Sequence, residues 1–361
     1  MEGPSPFKVL RRRNGGYIGN DVSPSRIKNA CGGGGIYDHG TMICAPSQQP
    51  ESATALDALK HGGKRAIADA LARVECAPNA SATVALVDAA YLAPHGAVIG
   101  FTGPPGVGKS TLIDALIKRW RAAGVTVGVI AVDPSSRTTH GALLGDRIRM
   151  RTDPADDGVV VRSLASRGAL GGLAELAFPA AVLMRALFDR VVVETVGVGQ
   201  SEADISAVAD SVVLCVQPGS GDALQFMKAG IMEIPDLAAV TKADMGASAR
   251  RALADLKGAL GLASSGGIPC HMVSATKDEG VGELLAAIDA RFPGGTENNC
   301  ELATRRHAQA ESWLRLAVGQ RFGEAGLAAA ETASAMNLPL DVAPFGHARD
   351  IMQRLTIAFD A

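Results

Sequence analysis

The chain has 361 residues, 47% of them hydrophobic and 20% charged, with a formal net charge of −2. That length can bury a sizeable core and hold two domains. The near-neutral balance excludes a global basic field for nucleic acid, and no apolar run reaches the roughly 18 residues of a membrane-spanning helix.

No secretory pattern of basic start and apolar core opens the chain. Six scattered cysteines (Cys31, Cys44, Cys76, Cys215, Cys270 and Cys300) form no C-x-x-C pair. In a chain this long they read as reduced thiols of a cytosolic protein, not as disulfides or a zinc knuckle. Cys215 and Cys270 lie in apolar runs and read as small core residues.

Residues 1–50 carry Arg11-Arg12-Arg13, Gly15-Gly16 and four glycines at 32–35, without apolar periodicity. This predicts a poorly structured tail. An Arg-bearing start also suits a transit segment into the mitochondrial matrix, against which Glu2, Asp21 and Asp38 count. The expectation is a cytoplasmic protein with a tail. Residues 51–95 turn helical: Leu56, Leu59, Ile67, Leu71 and Val74 recur at helical spacing, interrupted at Gly62-Gly63.

From 96 to 295 apolar runs alternate with helical stretches. The runs are Ala97–Thr102, Val125–Val132, Val159–Ser163, Val191–Glu194, Val212–Gln217, Leu237–Lys242 and Pro269–Ser274. Among the helical stretches are Gly172–Leu187, Ala247–Leu260 and Val281–Phe292. This predicts an α/β fold, a mostly parallel sheet with helices on both faces, which binds ligands at the carboxyl ends of its strands. Residues 296–361 read as a C-terminal helical segment. It has one amphipathic helix from Glu301 to Leu327 and another from Gly346 to Phe359. The long helix packs on the core or on a second copy, and the second copy is the expectation.

The organising stretch is Gly103-Pro104-Pro105-Gly106-Val107-Gly108-Lys109-Ser110, which fits G-x-x-x-x-G-K-[ST] at every fixed position. An apolar run leads in, and a helix carrying Thr111 in its first turn leads out. Glycines let several N–H groups point at one phosphate, and the helix N-terminus adds positive potential. Lys109 would reach the β- and γ-phosphates and the Ser110 hydroxyl would bind Mg²⁺.

Further candidates follow the other runs. Asp133, in Val132-Asp133-Pro134, could meet Mg²⁺ or its waters, or simply cap a turn. Asp146 and Arg147, in a Gly-flanked segment, are candidates for metal and phosphates, or a surface ion pair. Glu194 ends a hydrophobic run and can hold Mg²⁺ through water, while Gly197 can offer its N–H to the γ-phosphate. Release of that phosphate would free the loop Val196–Glu202. Thr241-Lys242-Ala243-Asp244 reads as a guanine-specificity element. A buried Asp244 carboxylate accepts from N1–H and the 2-amino group, donors that adenine lacks, and the Lys242 stem can lie over the base. Ser274, Ala275 and Thr276 can offer backbone N–H groups to guanine O6.

The stretches GFTGPPGVGKSTLIDAL, VIAVDPSS, GALLGDRIRM, VVVETVGVGQSE, GDALQFMKAGIMEI and VSAT resemble the MeaB/ArgK family across roughly 52–330. These are GTPase chaperones of adenosylcobalamin-dependent acyl-CoA mutases. The resemblance implies a P-loop NTPase of the signal-recognition/MinD/BioD class and a homodimer built through C-terminal helices. It implies GTP hydrolysis with Mg²⁺, coupled to loading adenosylcobalamin onto methylmalonyl-CoA mutase and to protecting that enzyme. The cofactor would be met only through the partner, with no nucleic acid and no membrane involved. It also implies a mobile segment, Gly219–Lys228, that transmits nucleotide state. Three departures stand out: Thr241 where the family has Asn; Gly219–Lys228, with Ala223 for Glu and the bulky Phe226-Met227; and residues 1–50, which match no part of the family.

In the expected mechanism water attacks the γ-phosphate in line. Lys109, Asp133, Asp146 and Glu194 stabilise charge or hold the metal. Val198 stands where a Ras-like Gln would follow the glycine, so intrinsic turnover should be slow. Two alternatives remain: a metallochaperone GTPase for a nickel enzyme, which would need a Cys/His cluster, and a nucleotide-gated adaptor with negligible hydrolysis.

Overall fold

Among the described residues seven strands pair in parallel in the order β3-β2-β4-β1-β5-β6-β7. They are β1 Ala97–Thr102, β2 Val127–Pro134, β3 Val159–Ser166, β4 Arg190–Thr195, β5 Ser211–Val216, β6 Leu237–Val240 and β7 Cys270–Met272. The structure is a computed structural model and describes residues 50–134, 153, 155–166, 174–195, 205–219, 234–263, 267–292 and 300–360.

The strands are continuous apolar runs because both faces are covered. In β1, Ala97, Ile99 and Phe101 pack into one core cluster and Val98 into the other. A strand buried on both sides has no solvent face to mark with polar residues. One face is covered by α4 (Lys109–Ala122) and α7 (Val281–Asp289) through Leu112, Leu116, Trp120 and Leu284. Over β5 and β6, α6 (Ala247–Ala263) contributes Leu256 and Leu260. The other face carries α1 (Pro50–His61), α2 (Gly63–Cys76), α3 (Ser81–Leu92), α5 (Ala174–Leu187), α8 (Cys300–Thr332) and α9 (Pro344–Asp360). Among the described residues no helix is long and apolar enough to cross a membrane.

Several boundaries differ from the sequence expectation. The β2–β3 ladder runs on from Val127↔Val159 to Pro134↔Ser166, which takes Asp133 into β2 instead of the loop after it. β7 shrinks to three residues with β6 as its partner. The long C-terminal helix is broken at Gly323 (φ 64, ψ −167), and the chain folds back there. Arg315 and Glu331, each eight residues from Gly323, form an ion pair across the fold.

The first half of α8 is seated on its own chain. Arg306 is 7% exposed and makes a two-pronged pair with the fully buried Asp210 carboxylate, at 2.9 and 2.7 Å. The same carboxylate accepts from the Val98 N–H, and Arg306 also donates to the Gly96 carbonyl. Arg305 reaches Asp236, and Gln309 donates to the Ser206 and Ala209 carbonyls. A guanidinium taken out of water needs such full satisfaction, so α8 is locked against the amino ends of β1 and β5. Of the two seats expected for this helix, its own core takes the buried face of the first half.

Candidate functional site

The phosphate-loop pattern lies at the carboxyl end of β1, between that strand and α4. Gly103 has φ 135, and a Cβ there would sit 2.1 Å from the Cys215 carbonyl oxygen. Only glycine fits where the loop passes over β5. Gly108, at φ 99, turns the chain into α4. Lys109 is 6% exposed, and its ammonium curls back to donate to the Gly103 carbonyl at 2.6 Å and the Pro104 carbonyl at 3.0 Å. Pro104 and Val107 are buried, Pro105, Gly106 and Thr111 are exposed, and Ser110 is half-buried.

β4 lies beside β1 with Phe101 in register with Glu194. That neighbourhood brings two distant residues together: the Ser110 hydroxyl donates to Glu194 Oε1 at 2.7 Å. Glu194 is 8% exposed. A hydroxyl and a carboxylate at the end of a phosphate loop are hard oxygen donors of the kind Mg²⁺ takes beside a triphosphate, its other positions kept by water. The residues present therefore fit that ion. Asp133 lies on β2, the other neighbour of β4, one residue beyond the Val132↔Thr195 pair, so its backbone is at the same sheet edge. Behind the loop, burial pushes the Cys215 thiol up to about 12, which keeps it protonated and inert. Asp146, Arg147, Gly197, the 196–202 loop and residues 220–228 lie outside the described residues. Among the described residues no three His, Cys, Asp or Glu side chains gather as a metal cluster.

The Thr241–Asp244 segment follows β6 and meets the same loop. The Thr241 hydroxyl, 4% exposed, lies 2.7 Å from the Val107 carbonyl and 3.0 Å from the Val216 carbonyl, so one proton serves two acceptors. Lys242 takes a left-handed backbone (φ 53) and sends its ammonium to the Gly106 carbonyl and the Gln217 side-chain oxygen. The Asp244 carboxylate accepts from the Ser274 hydroxyl at 2.7 Å. That bond, helped by the Asp244 backbone N–H and by Lys277 and Lys242, holds its carboxyl below the usual range.

Asp244 is exposed, where the sequence predicts a buried acceptor. It sits in a short turn beyond β6, and nothing among the described residues covers it. Ser274 pairs with Glu279 and gives its N–H to the Glu279 carbonyl, with Ala275 and Thr276 in the turn between. Sequence reading missed Gln217. Its position just past the end of β5, at the sheet edge that carries the phosphate loop, is the signal that could have found it.

The model of the family described as "Methylmalonyl Co-A mutase-associated GTPase MeaB" matches residues 67–331. A protein of Pyrococcus horikoshii with a provisional GTPase name is 50% identical over 190 residues, 52% of this chain and 60% of that one. The mouse methylmalonic aciduria type A homolog, a protein named as mitochondrial, is 37% identical over 60% of this chain and 54% of its own length. The match thus spans little more than half of these relatives. The crystal structure of an LAO/AO transport system kinase shares the fold, with a TM-score of 0.57 at 23% identity over 86% of this chain and all of that one. With the family model covering nearly three quarters of its residues, this chain belongs to the methylmalonyl-CoA mutase-associated GTPase (MeaB) family.

Proposed function

We propose that this chain binds GTP with Mg²⁺ and hydrolyses it. In this reading the nucleotide state gates adenosylcobalamin loading onto methylmalonyl-CoA mutase or a related acyl-CoA mutase and protects that enzyme. The observation that carries the first half is the Ser110–Glu194 hydrogen bond. It joins the loop hydroxyl to a carboxylate 84 residues away at the sheet edge where the phosphate loop and Thr241 also meet. The second half rests on the family match.

Lys109 would exchange its two loop carbonyls for the β- and γ-phosphates, and its burial strengthens that contact. Bound Mg²⁺ would supply charge neutralisation at those oxygens. Ser110 and Glu194 would hold it, with Asp133 and Asp146 as further candidates. Loop N–H groups from Gly106 to Ser110 would stabilise charge developing on the γ-phosphate, and Gly197 would sense that phosphate. Thr241 and Lys242 would fix the loop against the base element. Asp244, already ionised and aimed by Ser274, would accept from guanine, and the base would give it the cover it lacks. With the Ser274 N–H engaged, Ala275 and Thr276 would meet guanine O6. Turnover by the protein alone would be slow, since no Gln follows Gly197. The homodimer and the transmitting segment 219–228 belong to the same proposal.

Calorimetry of the full chain with Mg²⁺ should give heat for GTP and GDP and none for ATP. Pull-down of native partners should retain a mutase differently with a non-hydrolysable GTP analogue than with GDP. No heat for either guanine nucleotide overturns the whole reading; heat with no mutase recovered in either state overturns the chaperone role alone.

A further inference from the structure

On the sheet face away from the phosphate loop, α2, α3, α5, α8 and α9 surround a cavity of about 280 Å³. Its volume is near the lower end of the roughly 300–1,000 Å³ typical of small-molecule sites, and a position between packed helices is a common one for them. The wall is mostly apolar, with Val84, Leu176, Trp313, Phe345 and Met352 among its residues.

The wall is preformed. Pro179 in α5 has no N–H to give the Glu175 carbonyl four residues back, and the Trp313 indole N–H fills that role at 3.2 Å. Trp313 stands edge-on to Phe345 with ring centroids 4.7 Å apart and stacks on Phe178 at 5.9 Å. Phe345 is fixed in turn, because its N–H and that of Gly346 donate to the Asp88 carboxylate. A rigid aromatic wall loses little entropy on accepting a ligand.

Asn79, Thr83, Glu175, Gln320 and Arg321 break the apolar lining. Thr83, 4% exposed, lines the cavity and turns a polar side chain into its lining. Arg321 lines the cavity from the exposed surface of α8, its guanidinium 5.5 Å from the Phe322 ring. Glu175 is the acidic residue of the lining, so the site is not a general anion trap.

We propose that this cavity binds a small amphipathic carboxylate. Its aryl or short acyl body would lie against Trp313 and Phe345, an oxygen would meet the Thr83 hydroxyl, and its negative charge would lie at Arg321. The site is separate from the nucleotide site, and neither depends on the other being correct.

The test is calorimetric titration of the full chain with 4-phenylbutyrate, the neutral 4-phenylbutanol and the cationic 4-phenylbutylamine. Phenylbutyrate should bind one to one, at least five-fold tighter than the alcohol and ten-fold tighter than the amine. Ala317→Trp, which fills the cavity, should weaken it ten-fold or more. Arg321→Glu, at an exposed position that leaves the core intact, should weaken it about five-fold, and Thr83→Val should weaken it measurably. Tryptophan emission should respond through Trp313, since Trp120 is buried in the other core cluster. No heat with any of the three compounds overturns the proposal. So does phenylbutyrate binding unchanged in Arg321→Glu, or in Ala317→Trp with an unaltered melting temperature. If Ala317→Trp does not fold, Arg321→Glu and Thr83→Val decide alone.

Discussion

The Trp313 indole N–H donates to the carbonyl of Glu175 at 3.2 Å, 138 residues away, and does so because Pro179 cannot. A helix interior proline orphans the carbonyl four residues before it, and here a side chain from α8 takes up that acceptor. The C-terminal helices are thus joined to α5 by a polar contact inside an apolar cluster.

This relationship predicts a non-additive pair. Trp313→Phe should destabilise the chain by about 1–3 kcal/mol, from the lost hydrogen bond and the orphaned carbonyl. In a Pro179→Ala background the helix regains its own N–H for Glu175, and the same substitution should be milder by roughly 1 kcal/mol. Urea melts of the four proteins check this. Equal losses in both backgrounds would show that the indole serves only as packing.

Thr241 holds the phosphate loop and β5 to the base element with one proton. Thr241→Val should weaken GDP and GTP by about 5–30-fold, since a buried acceptor loses its donor. Thr241→Asn, with two amide protons for the two carbonyls, should bind as tightly as the native chain or more so. Calorimetry with both nucleotides gives the answer, and an unaffected Thr241→Val variant would remove the tether from the account.

Asp244 is expected to set base choice. Asp244→Asn should lose roughly 10–100-fold in GTP affinity and gain in xanthosine triphosphate affinity, because the amide can donate where the carboxylate only accepts. Competition between the two nucleotides for a fluorescent analogue measures the swap. A variant that keeps its guanine preference would place recognition elsewhere.

Asp88 gives the fold a pH dependence. It accepts from the Phe345 and Gly346 N–H groups at the start of α9, yet burial raises its carboxyl from 3.8 to about 6. The folded chain therefore binds this proton more tightly than the unfolded chain. The resulting stability is complete below about pH 4 and is lost as pH rises through 6, in all about 3 kcal/mol. Relative to Asp88→Asn, which does not titrate, the native protein should gain on acidification from pH 7 to 5. Melting curves across that range test it; a pH-independent difference between the two proteins would mean the carboxyl titrates normally.

Much of the sheet could be read from residue order alone. β1 begins and ends where its apolar run does, because a strand buried on both faces must be apolar throughout and Gly103 must end it. The phosphate-loop pattern was equally legible, since close backbone approach leaves glycine no substitute at position 103. Local sequence was less informative where a neighbour sets the outcome. β2 extends to Pro134 only because β3 runs alongside, and Asp133 changes from a loop residue to a strand residue as a result. Gln217 carries no local mark of the Lys242 ammonium that comes to it from β6.

By itself, the sequence determined the elements, their parallel sheet, the phosphate loop and the family, since these rest on periodicity and on residues whose geometry has no alternative. Only the tertiary structure decided which distant groups meet: Ser110 with Glu194, Thr241 with Val107, Arg306 with Asp210, Trp313 with Glu175. Each of these joins polar atoms more than 80 residues apart. Hydrogen bonds carry no sequence periodicity, and their partners are fixed by strand order and helix docking rather than by neighbours in the chain.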